Sequence, residues 1–109
     1  MTNFDDREKS FERKFALDAE LQFKSTAKRN KLLGLWAAEK MALSGDDAQA
    51  YAREVVKADL EEPGEEDVYR KIRGDFDAKN IDQSDHQIRH AMADLLAEAV
   101  RQLETEAKG

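Results

Sequence analysis

The stretch from residue 4 to residue 43 most constrains this chain, because its composition predicts one long helix whose two halves differ in chemistry. A straight helix of this length spans roughly 60 Å at about 1.5 Å per residue. A compact domain of this size has a radius of gyration of only about 13 Å. We therefore predict that residues 1–23 form an arm that projects from a body of residues 24–109. The alternative is that the arm packs on its own body.

The composition predicts an all-α fold. Hydrophobic residues make up 40% and charged residues 39% of the 109 positions, and one proline and five glycines leave few points at which a helix must end. Such a chain favours long helices joined by short turns, and its length suffices for one modest core. We predict a small four-helix bundle with a long first helix whose N-terminal part is a projecting or flexible arm.

Charge and residue usage restrict the classes of function. The net charge of −6 argues against nucleic-acid binding, which needs an electropositive face for phosphate contacts. The absence of cysteine excludes disulfides and thiolate metal sites. No apolar run approaches the ~20 residues of a membrane helix, and the acidic N-terminus is unlike a secretory signal. We expect a cytoplasmic protein that does not insert into the membrane and, lacking a heptad seam, is a monomer when free.

Three phenylalanines define one face of the predicted arm. Phe4, Phe11 and Phe15 are spaced by seven and four residues, so a helix aligns them, with Glu8 between them. Aromatic stripes of this spacing belong more often to a core than to a binding surface. Here the stripe is sparse and the predicted helix is longer than the body requires, which favours contact with a partner.

Apolar spacing predicts the helices of the body. The first ends at Ser44 and Gly45, where Gly45 can adopt the left-handed conformation, and Asp46 is placed to cap the second. The third starts around residues 63–66, and Ser84 with Gln87 forms a capping box for the last. The residues expected to pack inside are Leu32, Leu33, Leu35, Trp36, Ala37, Ala38, Met41, Leu43, Ala48, Tyr51, Ala52, Val55, Val56, Leu60, Val68, Tyr69, Ile72, Phe76, Ile81, Ile88, Met92, Leu95, Leu96, Ala99 and Leu103.

Candidate metal and catalytic groups are few. His86 and His90 are four residues apart, a spacing that can present two imidazoles to one zinc ion. Both lie nearly opposite the apolar stripe of the last helix, so solvated surface histidines explain them better, and we predict no metal. The sequence contains no phosphate loop and no recognisable triad or carboxylate pair. We therefore expect a protein that is not an enzyme.

A basic cluster and an acidic cluster have two interpretations. The basic collar consists of Lys24, Lys28, Arg29 and Lys31, and the acidic corner consists of Asp59, Glu61, Glu62, Glu65, Glu66 and Asp67. We favour solvated faces that attract one another weakly. The alternative is that the collar binds the phosphates of a nucleotide.

Three sequence motifs carry a resemblance to a known family. They are RNKLLGLWAAE at residues 29–39, FDDREK at residues 4–9 and DLEEPG at residues 59–64. Together they resemble the alphaproteobacterial zeta subunit of the F-type ATP synthase, and the resemblance extends over essentially the whole chain. It implies a four-helix bundle whose N-terminal arm enters the catalytic alpha/beta interface of the ATPase head and blocks ATP hydrolysis.

The resemblance also implies partners and site residues. The partner is the F-type ATPase catalytic head, with its alpha, beta and gamma subunits, which would place the chain at the periphery of the inner membrane. No cofactor is implied beyond weak binding of ADP or ATP. Leu17 stands where histidine is common in the family, which argues against an arm histidine as a proton switch. The residues expected to contact the partner are Phe4, Asp5, Asp6, Arg7, Glu8, Lys9, Phe11, Arg13, Lys14, Phe15 and Asp18.

A second function is kept as an alternative. In this alternative, the bundle senses adenine nucleotides by binding ADP or ATP and does not insert into the F-type ATPase. The residues that would bind the nucleotide are those of the basic collar, Lys24, Lys28, Arg29 and Lys31.

Overall fold

The computed structural model describes residues 19–61 and 64–108, which form four α-helices. They are α1 (Ala19–Lys40), α2 (Gly45–Glu61), α3 (Glu65–Ala78) and α4 (Asp85–Lys108). The helix α1 packs against α2 and α4, and α3 contacts both α2 and α4. Within these ranges there is no strand, so the predicted all-α bundle is confirmed. None of the helices described is long and apolar enough to cross a membrane.

The core lies where the apolar stripes of the four helices meet. Trp36 of α1 contacts Phe76 of α3, with 5.8 Å between the ring centroids. The stripes predicted from spacing are largely confirmed, because side chains three and four positions apart share one face of a helix. The buried cluster consists of Leu33, Ala37, Ala38, Met41, Tyr51, Val55, Val68, Ile72, Phe76, Ile88, Ala91 and Met92.

A glycine allows α1 and α2 to approach closely. Gly34 is buried in the face of α1 that meets Ala52 of α2. A Cβ atom at position 34 would lie 2.6 Å from the Ala52 Cα and 3.1 Å from its Cβ. No ordinary contact between carbon atoms is that short, since their optimum separation is about 3.5–4.0 Å. The distance between these two helices therefore depends on the missing side chain.

The end of α1 corrects two expectations. The left-handed residue that follows α1 is Ala42, with φ of 62°, and the Leu43 N–H donates to the Ala38 carbonyl at 2.8 Å. This pattern ends a helix while returning the next side chain to the core, and Leu43 packs there. Gly45 is left-handed too, but it is the first residue of α2. Asp46 therefore lies in the first turn rather than at the cap.

The end of α3 repeats the arrangement. Asn80 has φ of 57°, its N–H donates to the Asp77 carbonyl at 3.2 Å, and the Ile81 N–H donates to the Phe76 carbonyl at 2.8 Å. Ile81 packs against the core, which confirms its predicted role. In each connection, a left-handed residue turns the chain and the next side chain anchors it.

The capping box of α4 is confirmed. The Ser84 N–H donates to Gln87 Oε1 at 2.8 Å, and the Gln87 N–H donates to Ser84 Oγ at 3.1 Å. These reciprocal bonds satisfy two donors at the start of the helix. The position at which α4 begins is therefore set by residues that are adjacent in sequence.

Candidate functional site

The residues predicted to contact a partner precede the part of the chain that the structure describes. Ala19, the first described residue, is also the first residue of α1. The described surface nearest to these residues is therefore the one at the start of α1. The predicted contact residues outside the described ranges are Phe4, Asp5, Asp6, Arg7, Glu8, Lys9, Phe11, Arg13, Lys14, Phe15 and Asp18.

A groove lies between the start of α1 and the end of α2 and has a volume of about 230 Å³. Side chains at spacings of three and four give each helix one face to line it. We call it the α1/α2 groove. Its lining residues are Gln22, Phe23, Thr26, Ala27 and Asn30 from α1, and Val56, Asp59 and Leu60 from α2.

Two large apolar side chains flank the α1/α2 groove and are open to solvent. Phe23 is 63% exposed and Leu60 is 59% exposed. The prediction that Leu60 faces the core is therefore wrong. Leu60 lies in the last turn of α2, where the described residues cover less than half of its surface. Clustered exposed apolar surface is typical of an interaction site.

The groove also reaches a buried amide. Asn30 is fully buried, and its Oδ1 accepts a hydrogen bond from Arg29 Nε at 2.8 Å. Among the residues that the structure describes, none accepts a hydrogen bond from the Asn30 Nδ2. A buried donor without an acceptor costs about 1–3 kcal/mol. The α1/α2 groove thus combines apolar walls with one donor that no described residue satisfies.

The burial of Arg29 corrects the interpretation of the basic collar. Arg29 is only 1% exposed, and its Nη1 lies 3.4 Å from Glu65 Oε1 at the start of α3. A buried guanidinium is tolerated when its charge and N–H groups are paired. A signal for this existed in the sequence, because Arg29 continues the stripe of Leu33 and Ala37 by one turn. The expected attraction between the basic collar and the acidic corner is realised by this ion pair.

The remaining basic residues lie at the surface, and the structure does not bring all four together. Lys24 Nζ lies 3.0 Å from Glu20 Oε1 within α1, and Lys28 Nζ lies 2.8 Å from Glu106 Oε1 of α4. Lys31 is exposed. With Arg29 buried and two lysines paired, the basic collar is not a single cationic pocket.

The two histidines line a second groove between α1 and α4, beside Trp36 and Lys40, with a volume of about 430 Å³. The rings of His86 and His90 stack with 6.2 Å between centroids, and His90 Nε2 lies 3.0 Å from Asp94 Oδ2. In the part of the chain that the structure describes, no three His, Asp or Glu side chains converge to hold a metal ion. The two stacked histidines form part of the wall of this groove.

Ion pairs between α3 and α4 shift several pKa values. Arg89 donates to both carboxylate oxygens of Glu66, at 3.0 and 3.2 Å, and these hydrogen bonds lower the pKa of Glu66. The Arg89 guanidinium also lies 4.0 Å from the Tyr69 ring centroid. Hydrogen bonds from Tyr69 and then Arg73 lower the pKa of Asp85. This network stabilises the packing of α3 against α4 while the carboxylates of Glu66 and Asp85 are charged.

A buried tyrosine joins α2 to α3. The Tyr51 hydroxyl donates to Asp75 Oδ2 at 2.7 Å, and Lys71 Nζ lies 3.1 Å from the same oxygen. Burial and then the hydrogen bond to Asp75 raise the pKa of Tyr51. The Tyr51 hydroxyl and the Lys71 ammonium share one Asp75 oxygen, which indicates a structural role.

The chain matches one protein family and is similar to a solved structure. The sequence model of the family described as ATPase inhibitor subunit zeta matches residues 1–102, a range that includes the arm and the α1/α2 groove. The chain is similar to a protein whose structure was solved by solution NMR, with 52% sequence identity and a TM-score of 0.70. That similarity covers 79% of this chain and 98% of the solved chain. No curated protein matches the chain.

Proposed function

The chain belongs to the ATPase inhibitor subunit zeta family, and we propose that residues 1–23 insert as a helix at the catalytic alpha/beta interface of the F-type ATPase. The observation that carries this proposal is the range of the family match, which begins at residue 1. The buried hydrophobic residues of the described ranges lie between Leu33 and Ala99. The match therefore includes a segment that precedes the described core.

The chemistry of the arm supports insertion into a groove on another protein. A helix places Phe4, Phe11 and Phe15 on one face, and such apolar anchors at helical spacing are typical of helices that bind in grooves. Aromatic side chains in pockets often supply most of the binding energy of an interface. Arg13 and Lys14 would pair with acidic groups at the rim. A helix held between alpha and beta would prevent the conformational step that hydrolysis requires.

The family membership defines the kind of partner. An ATPase inhibitor subunit acts on the ATP synthase as a regulator rather than as a catalyst. We propose that the contacts are made with the alpha, beta and gamma subunits of the catalytic head. The chain would then be held at the inner membrane through the synthase.

The test is ATP hydrolysis by the purified cognate ATPase. The variant Phe11→Ala/Phe15→Ala should lose inhibition because it removes two of the three anchors. The matched control, Ser10→Ala/Glu12→Ala, changes two arm positions outside the anchor stripe and should still inhibit. Thermal unfolding followed by circular dichroism should be the same for all three proteins. Full inhibition by the variant that lacks both phenylalanines would contradict the proposal.

Weak binding of ADP or ATP stays a prediction for this chain. The pairing of Lys24 and Lys28 and the burial of Arg29 give the basic collar no special suitability for phosphate. Nucleotide added to nitrogen-15-labelled protein tests the prediction. Shifts confined to one pocket would support a site, and their positions would identify it.

A further inference from the structure

The α1/α2 groove presents apolar surface that the described residues leave uncovered. Phe23 of α1 and Leu60 of α2 line it, and both side chains are exposed. On its buried side, the Asn30 Nδ2 finds no acceptor among the described residues. The first feature favours an apolar occupant, and the second favours one that brings a carbonyl or carboxylate oxygen. A segment of a protein chain supplies both.

The groove does not select its occupant by charge. The phosphates of nucleic acids and of anionic lipids are held by lysine and arginine, and neither is among the described residues that line the groove. Asp59 does line it, and its Oδ1 accepts a hydrogen bond from the Gly64 N–H at 3.3 Å. The chemistry of the groove therefore indicates a protein partner rather than a nucleic acid or a lipid surface.

The size of the groove indicates a contact that extends a larger interface. Its volume of about 230 Å³ equals that of roughly eight water molecules. This space fits one or two side chains and not a whole helix, whose diameter is about 10 Å. A stable protein interface buries about 1,200–2,000 Å². The groove is therefore too small to hold a partner by itself.

The position of the groove identifies the larger interface. Residues 1–23 are proposed to insert into the ATPase, and Phe23 is the last of them. Phe23 also lines the α1/α2 groove, so the groove lies where α1 leaves the ATPase. Insertion brings Leu60, on the α2 wall, to the edge of the alpha/beta interface. This placement follows from described residues, because α1 carries Phe23 and packs against α2.

We propose that the α1/α2 groove is a second contact site for the catalytic head: an apolar side chain at the outer edge of the alpha/beta interface enters it between Phe23 and Leu60. This inference rests on the proposed function, because the inserted arm brings the groove to the head. An oxygen beside that side chain supplies an acceptor for the Asn30 Nδ2. The bundle thus contributes to binding and is more than a carrier of the arm.

Inhibition of the purified cognate ATPase by full-length variants measures this contribution. Leu60→Gln removes the apolar surface while keeping the size of the side chain. Because 59% of Leu60 is exposed and available to the partner, the half-inhibitory concentration should rise roughly five- to twentyfold. The control Ala93→Gln adds the same side chain at an exposed position of α4 outside the groove and should inhibit as the native protein does. Inhibition by Leu60→Gln as strong as that of the native protein, or stronger, would overturn the proposal.

The melting temperature separates this effect from a loss of folding. Both substituted positions are exposed, so circular dichroism should give the same Tm for Leu60→Gln, Ala93→Gln and the native protein. A loss of inhibition that tracks a lower Tm would assign Leu60 a structural role and would overturn the proposal.

A photo-crosslink identifies the occupant. The chain has no cysteine, so Lys57→Cys provides one site for a benzophenone label on an exposed position of α2, one turn before Leu60. In the complex with the catalytic head, we expect a crosslink to the alpha or beta subunit. Ser44→Cys, labelled in the same way beyond the opposite end of α1, is the control and should give none.

The product of the crosslink decides between occupants. A crosslink from position 57 to a second copy of the chain or within its own chain would overturn the proposal, as would no crosslink in a complex that is inhibited. If the native protein does not inhibit, the proposed function fails. A crosslink from position 57 to the head would then still support the contact site, and its absence would reject both.

Discussion

Replacing Gly34 with alanine tests the packing of α1 on α2 most directly. The added Cβ would lie 2.6 Å from the Ala52 Cα, about 0.8 Å inside the shortest ordinary contact. The obstructing atom belongs to the backbone of α2, so no side-chain rotation can relieve the contact. The two helices must separate, and the contacts of neighbouring core residues such as Leu33 and Val55 would loosen with them.

The expected magnitude follows from two opposing effects. Overpacking a core costs about 1–3 kcal/mol, and a contact with backbone belongs at the upper end of that range. Alanine in place of glycine in a helix contributes about 1 kcal/mol of stability. The net loss for Gly34→Ala is therefore about 2 kcal/mol in the free energy of unfolding. For a domain near this size, that loss lowers Tm by about 10 °C.

The matched control is Gly74→Ala. Gly74 lies on the exposed face of α3, and a Cβ there would meet no atom within 4 Å. Only the helix propensity changes, so this variant should gain about 0.5–1 kcal/mol and melt several degrees higher. Thermal and urea unfolding followed by circular dichroism measure both variants. If Gly34→Ala is stabilised as much as Gly74→Ala, the close approach of α1 and α2 is refuted.

Two other predictions concern stability. Ala42→Gly should stabilise the protein by about 1 kcal/mol, because Ala42 has φ of 62° and glycine reaches this conformation without steric cost; an unchanged urea midpoint would contradict the left-handed turn. Because hydrogen bonds lower the pKa of Glu66 below its usual 4.5, the charged form stabilises the folded state above that pH. Stability should therefore fall as the pH drops through the folded pKa, and Glu66→Gln should flatten this part of the profile. An identical acid profile for Glu66→Gln and the native protein would rule out a contribution from the pair with Arg89.

Local patterns in the sequence predict the helices and most of the core. The capping box of Ser84 and Gln87 and the apolar stripe through Val68, Ile72 and Phe76 both occur in the structure. These features depend on side chains three or four positions apart, which are neighbours in any helix. They can therefore be recognised without knowledge of the rest of the fold.

The candidate site is only partly predictable from the sequence. Spacing and charge distinguish the arm, and the three motifs at residues 4–9, 29–39 and 59–64 indicate the family. The α1/α2 groove escapes prediction because its walls come from two helices about 30 positions apart in the chain. Leu60 lies at the exposed edge of this groove, but periodicity predicts that it faces the core. Periodicity shows which residues share a face of a helix, and it does not show how much of that face other helices cover.

Residue spacing along the chain predicts four helices, their apolar faces and a distinct N-terminal segment. The packing of the helices is needed to show that Arg29 is buried against Glu65, that Gly34 contacts Ala52, and that Ala42 rather than Gly45 follows α1 in the left-handed conformation. The difference follows from the range of the interactions. Helix formation and capping depend on residues that are close in sequence. The burial of the Arg29 charge and the need for glycine at position 34 depend on which helix lies opposite.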